Sequence, residues 1–150
     1  MPQSLANVLV HIVFSTKNRA PLIHADIEDS LWRELAAICR TIQCPAHGVG
    51  GVSDHVHIVC SLGRTLAFAD ALREIKADSS KWMKTNGERY AEFAWQSGYG
   101  AFSIGQSQLD DVKQYIARQK EHHRKRTFQE EFRELLRRYQ VQFDERYVWD

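Results

Sequence analysis

The chain has only three cysteines (Cys39, Cys44 and Cys60), and their spacing suits neither a Cys-x-x-Cys pair nor a metal site. An odd number without ligand spacing reads as reduced thiols in a reducing compartment. No apolar run approaches the roughly 18 residues that a bilayer span needs, so no membrane segment is expected. The amino-terminal stretch MPQSLANVLVHIVFSTKNR has no basic region before its apolar part and no small-residue cleavage site, which argues against a secretory signal. A cytoplasmic protein is the expectation. There is no internal repeat, low-complexity tract or linker, so residues 1–150 are read as one domain. Also missing are a glycine-rich phosphate loop, a Ser-His-Asp spacing and a carboxylate dyad, so nucleotide-driven and triad chemistry find no support.

What is present is the composition of an ordinary globular domain. The 150 residues are 43% hydrophobic and 26% charged, enough to bury a core without covalent staples. Net charge is +1 and by itself says nothing about partners. Its distribution says more. Lys113, Arg118, Lys120, Arg124, Lys125 and Arg126 are opposed locally only by Glu121, and His122 and His123 lie among them. A local basic patch can bind phosphates whatever the global sum; the alternative is a solvated helix face.

Residue patterning predicts the order of elements. Asn7–Ser15 is β-branched and apolar and reads as a buried strand, followed by a polar, basic turn over Thr16–Pro21. Ile27, Leu31, Leu35 and Ile38 mark an amphipathic helix ending near Ile42. Pro45–Val52 reads as a short glycine-loosened strand and Asp54–Ser61 as a second strand. Thr65 is the expected N-cap of a helix running to about Met83. The aromatic, glycine-containing stretch Tyr90–Gly105 suggests a strand with a turn or bulge. Ser107 is the expected cap of a helix to about His123, and Thr127–Tyr139 forms a last helix before an aromatic tail. The fold class is therefore α+β. The order β, α, β, β, α, β is that of a ferredoxin-like or RRM-like antiparallel sheet, with helices on one face and additional C-terminal helices.

Three constellations could carry chemistry. His55 and His57 lie two apart on a strand, so their imidazoles share a face and offer half of a divalent-metal site. Asp54 could accept a ring N–H from the pair. The alternative is two hydrogen-bonded sheet histidines. Tyr115 and Gln119 are four apart on a helix and so share a side. The glutamine oxygen could complete a metal site, and near a cation the tyrosine becomes a competent nucleophile; otherwise they are a core and a surface residue. The segment Trp95-Gln96-Ser97-Gly98-Tyr99 offers rings on which unpaired bases could stack, or rings for the core. Lys17 and Arg19 are phosphate contacts if they face a groove. His11 reads as a sheet residue.

Taken together, these motifs resemble the single-tyrosine HUH transposases (the TnpA type) of small bacterial insertion sequences. His11–Arg19 looks like the family's opening strand and basic turn, and Ser53–His57 like its histidine–hydrophobic–histidine motif. Trp95–Tyr99 looks like its aromatic segment, and Val112–Gln119 like its tyrosine helix. The resemblance implies that His55, His57 and Gln119 hold Mg²⁺ or Mn²⁺, and that Tyr115 attacks a phosphodiester to form a 5′-phosphotyrosine link. It also implies a homodimer acting on single-stranded DNA hairpins at transposon ends. Expected DNA contacts are Lys17, Arg19, Trp95, Tyr99, Lys113, Arg118, Lys120 and Arg124. A host-encoded relative associated with repeated extragenic palindromes shares these motifs; the chain length looks more like the mobile-element type. Two other readings use the same residues: a non-catalytic RRM-like nucleic-acid-binding module, and a metal-dependent hydrolase with a water nucleophile.

Overall fold

The computed structural model describes residues 2–150. Strand β1 (Leu9–Ser15) is buried at every position. It lies between β3 (His55–Ser61) and β4 (Gly100–Ile104), and β2 (Ala46–Val52) flanks β3 at the sheet edge, so the antiparallel order is β2-β3-β1-β4. This is the split βαβ arrangement that the element order implies.

Alternation along the strands gives each face its own covering. Val10, Ile12 and Phe14 of β1 join Val56, Ile58 and Cys60 of β3 beneath two helices, α1 (Glu28–Thr41) and α2 (Phe68–Lys84). Leu31, Leu35 and Ile38 of α1 and Leu72 and Ile75 of α2 close this core. The opposite residues (Leu9, His11, Val13, His55, His57 and Val59) face three later helices, α3 (Leu109–Ala117), α4 (Gln119–His122) and α5 (Phe128–Arg138). The additional C-terminal helices thus cover the second face. Ile116 packs on Leu9, Val59 and Ile104, while Phe128, Phe132, Leu135 and Leu136 pack on Val13 and Phe102. Close approach of α3 to β2 needs glycine, because a Cβ at Gly50 would lie 2.7 Å from the Ile116 carbonyl oxygen.

Four local expectations need correction. Helix α2 starts at Phe68, and Thr65 does not cap it. The preceding chain is still tied to the sheet, with Leu62 N–H donating to the Val8 carbonyl at 2.7 Å and Gly63 N–H to Cys44 Sγ at 3.3 Å. Ser107 lies within a tight turn over Gln106–Gln108, and α3 begins only at Leu109; Gln108 Oε1 accepts the Gly105 N–H at 2.8 Å. Tyr90–Gly105 is mostly irregular, and only Gly100–Ile104 pairs as a strand. Tyr90, Phe93, Trp95 and Phe102 are spent on packing, and its carbonyls on Lys76, whose ammonium donates to those of Gln96, Ser97 and Gly98 at 2.9, 3.1 and 2.6 Å. Finally, the helix expected to reach His123 breaks at Arg118 (φ −103°, ψ 23°), separating α3 from α4.

Among the described residues no helix is long and apolar enough to cross a membrane. The three cysteines are buried, and burial, with Cys44 alongside, pushes the Cys39 thiol up to about 12.

Candidate active site

The second sheet face carries a buried polar cluster where ordinary packing would place aliphatic groups. His55 and His57 project from β3 with no exposure, His11 from β1 with 3%, and Gln119 from α4 with 1%. Glu131 of α5, fully buried, stands at their centre. Its position on α5 follows from the helix period: Phe128, Phe132 and Leu135 form the apolar stripe, and Glu131 sits inside that stripe. The helix starts at Thr127, whose hydroxyl accepts the Glu130 N–H at 3.2 Å.

One Glu131 oxygen faces the imidazoles and the other faces the tyrosine. Oε1 lies 3.0 Å from His57 Nε2, 3.3 Å from His55 Nε2 and 3.2 Å from His123 Nε2. Oε2 accepts the Tyr115 hydroxyl and, at 3.3 Å, the Gln119 amide N–H. Gln119 Oε1 lies 3.0 Å from His55 Nε2 and 3.1 Å from His123 Nε2. The far ring nitrogens are also engaged. His55 Nδ1 meets Asp54 Oδ1 at 2.7 Å, the acceptor role expected of Asp54. His57 Nδ1 meets His11 Nε2 at 2.8 Å, so His11 fixes the His57 ring from the neighbouring strand. Arg126 Nη2 lies 3.3 Å from the Tyr115 hydroxyl, and His122 stacks on the tyrosine ring at 4.7 Å.

The electrostatics of the cluster favour positive charge between His55 and Glu131. Burial would lower the His55 pKa, but its hydrogen bonds to Asp54 and Glu131 and their charges raise it to about 9. Burial would raise the Glu131 carboxyl, yet hydrogen bonds from His123, His55 and His57 hold it well below the usual carboxylate range. His57 is lowered, chiefly by burial. His11 is lowered to about 3 by burial and then by His57, so it stays neutral. Burial and the neighbouring Glu131 charge push the Tyr115 phenol up. His55, His57 and Glu131 each offer one ligand atom, and these atoms lie within 4.8 Å of one another. Two imidazoles and a carboxylate, with an amide oxygen beside them, form a donor set able to hold a divalent cation.

The remaining sequence candidates fall in different places. Lys120 and Arg124 line a cavity of about 620 Å³ beside the cluster, together with Asp54 and His123. Lys120 is also paired with Glu28 at 2.9 Å. Lys17, Lys113 and Arg118 are exposed, and the Arg19 guanidinium lies 5.7 Å from the centre of the Trp149 ring. Tyr99 is 39% exposed on the α2 side of the sheet, beside Lys76, and is not brought to the cluster. Trp95 is placed in the core, edge-on to Phe14 and Phe93 at 4.8 Å, with its indole N–H donating to Ser79 Oγ at 2.9 Å. It offers no free face for a base. Glu131 is the residue that sequence reading missed; its one signal was a lone carboxylate in the apolar stripe of the last helix.

The same fold recurs in known proteins. The family described as transposase IS200 like matches residues 4–119, and the chain belongs to that family. Among solved structures it is similar to a candidate transposase from Deinococcus radiodurans R1, with 17% identity and a TM-score of 0.61. The match covers 79% of this chain and 98% of that one. A second similar structure is a REP-associated tyrosine transposase bound to a REP hairpin, with 14% identity and a TM-score of 0.58. It covers 82% of this chain and 72% of that one. A search of curated proteins finds no match. The family match ends at Gln119, so α5, with Glu131, lies beyond it.

Proposed function

We propose that this transposase cuts and rejoins single-stranded DNA through Tyr115, with a 5′-phosphotyrosine intermediate. One observation carries the reading: the Tyr115 hydroxyl, the His55 and His57 imidazoles and Gln119 all converge on the buried Glu131 carboxylate. A packing tyrosine would have no need of such a setting.

His55, His57 and Glu131 would hold the metal, with Gln119 as a further oxygen donor, and Mg²⁺ or Mn²⁺ suits the oxygen ligands. The cation, when bound, would polarise the scissile phosphate and favour the phenolate. The chain's own groups do the rest. His11 and Asp54 orient the two imidazoles. Glu131 Oε2 accepts the phenol hydrogen bond and so orients the Tyr115 hydroxyl. The Tyr115 oxygen attacks phosphorus and gives its proton to water, the bond to the 3′-oxygen breaks, and that oxygen takes a proton from water and leaves as a free 3′-OH. Reverse attack by a 3′-OH releases the tyrosine and rejoins a strand, with no nucleotide consumed.

The substrate in this reading is a single-stranded hairpin at an insertion-sequence end, supported by the hairpin bound to the similar REP-associated structure. Exposed Lys17, Lys113 and Arg118, with Lys120 and Arg124, are the proposed backbone contacts. Tyr115 and the histidine pair share the Glu131 carboxylate. The homodimer implied by the family belongs to the same reading and is tested by sedimentation.

A covalent trap tests the function. Protein with Mg²⁺ or Mn²⁺ is mixed with end-labelled hairpin oligonucleotides from the flanks of its gene and run on a denaturing gel. A metal-dependent shifted band carrying the sequence 3′ of the cut, absent in Tyr115→Phe and His55→Ala, is the expected result. Cleavage that survives Tyr115→Phe overturns the tyrosine mechanism in favour of a water nucleophile. Binding without cleavage or linkage would assign a binding module instead.

A further inference from the structure

The loop between α4 and α5 carries three consecutive cations, Arg124, Lys125 and Arg126, and the site described above uses none of them as a ligand. With Glu121 and His122 they line a cavity of about 520 Å³. Two features tie this cavity to the reacting tyrosine. Arg126 is held in place by Glu134, which accepts from Nη1, while Nη2 lies 3.3 Å from the Tyr115 oxygen. His122 stacks on the Tyr115 ring at 4.7 Å, and its Nε2 is buried with no hydrogen-bond partner among the described residues. An unpaired buried ring nitrogen costs free energy unless a ligand meets it. The only carboxylate on the cavity wall is that of Glu121, against three cations.

We infer that Arg126 and His122 form an anion cradle that grips the non-bridging oxygens of the scissile phosphodiester beside Tyr115, with Arg124 and Lys125 drawing the adjoining backbone in. The assignment rests on the strand-cleaving reading of Tyr115. It adds a second source of positive charge at the phenol, besides the histidine pair. A guanidinium fork matches two phosphate oxygens, and Glu134 holds its plane before substrate arrives. As the tyrosine attacks, charge accumulates on those oxygens, and fixed donors stabilise it without reorganising. Arg126 and His122 follow the last residue of the family match, so the cradle belongs to the chain's own C-terminal segment.

The test separates charge neutralisation from a structural role. Covalent linkage rates are compared on hairpins carrying either an ordinary phosphodiester or an uncharged methylphosphonate at the mapped cut. Arg126→Ala is expected to slow linkage about a hundredfold on the phosphodiester and to stay within about threefold of the parent on the methylphosphonate. Arg126→Lys keeps the charge without the fork and falls between. His122→Ala loses about tenfold on the phosphodiester. In parallel, the dinucleotide TpT is titrated into metal-free protein by NMR, which requires no cleavage. Shifts at His122 and Arg126 that vanish in Arg126→Ala support the cradle. Equal rates for Arg126→Ala and parent, or an equal loss on both substrates, overturn it. No linkage by the parent, with TpT still shifting His122 and Arg126, removes the strand-cleaving reading and leaves the anion site standing.

Discussion

The two faces of the sheet are made by the same strands and obey opposite rules. On the α1–α2 side, Val10, Ile12, Phe14, Val56, Ile58 and Cys60 bury only apolar surface. On the α3–α5 side, the neighbouring positions bury His11, His55, His57, Gln119 and Glu131. Burial of carbon stabilises in proportion to area and needs no particular partner. Burial of charge costs several kcal/mol per ion unless every group is met, so the polar face is stable only as a closed set of hydrogen bonds. The dry face supplies the stability that lets the polar face keep reactive groups out of water. One face is therefore tolerant of chemistry and sensitive to volume, and the other is the reverse.

Substitutions should divide along that line. Tyr115→Phe is expected to abolish DNA linkage, by at least about a thousandfold, with unfolding free energy within about 1.5 kcal/mol of the parent. The trapping gel and a urea titration measure the two effects. On the dry face, Ile58→Ala should cost about 3 kcal/mol of stability while linkage per folded molecule is retained. If instead its linkage falls as far as that of Tyr115→Phe, the two faces are not independent.

Metal sharpens the contrast. At a free Mn²⁺ concentration about a hundred times its Kd, the parent should gain about 2.7 kcal/mol in unfolding free energy. His57→Ala should gain little, and Ile58→Ala should keep the full increment. Without metal, the polar face carries a pH dependence near neutrality. His55 is raised from 6.5 to about 9. Its contribution is therefore whole below about pH 6.5 and is lost as pH climbs through about 9. The thermal midpoint of metal-free protein should fall across that window, and the fall should be smaller in His55→Asn. The smallest effect is expected at the start of α5, where Thr127→Ala removes a cap worth about 1 kcal/mol. Linkage should drop modestly as Glu131 loses its fixed position, and Thr127→Ser should restore it.

Local pattern made much of this legible. A β-branched apolar run in LVHIVFS and alternation in HVHIVCS gave the central strands, and the two-residue spacing of His55 and His57 placed them side by side. The spacing of Tyr115 and Gln119 marked the next pair, although the helix breaks between them at Arg118. What stayed hidden was set by distant contacts. Glu131 meets His57 across 74 positions of sequence. His11 meets His57 across 46. Trp95 was ambiguous because an aromatic ring near glycine fits a stacking surface and a core equally well, and Phe14 and Phe93 decide between them. The starts of α2 and α3 were misplaced because a threonine or serine caps a helix only where the backbone is free to turn.

The distance between His11 and Glu131 along the chain also governs when the molecule can act. A polypeptide leaves the ribosome amino terminus first. The dry core draws on residues from Val10 to Trp95, all of which precede α5 in the chain. The polar face waits for α5. Until Phe128–Arg138 has been released and docked, the histidine pair has no carboxylate and the tyrosine hydroxyl has no acceptor. A C-terminally truncated copy would lack Glu131 and with it a finished centre, and in the proposed reading could not cut DNA.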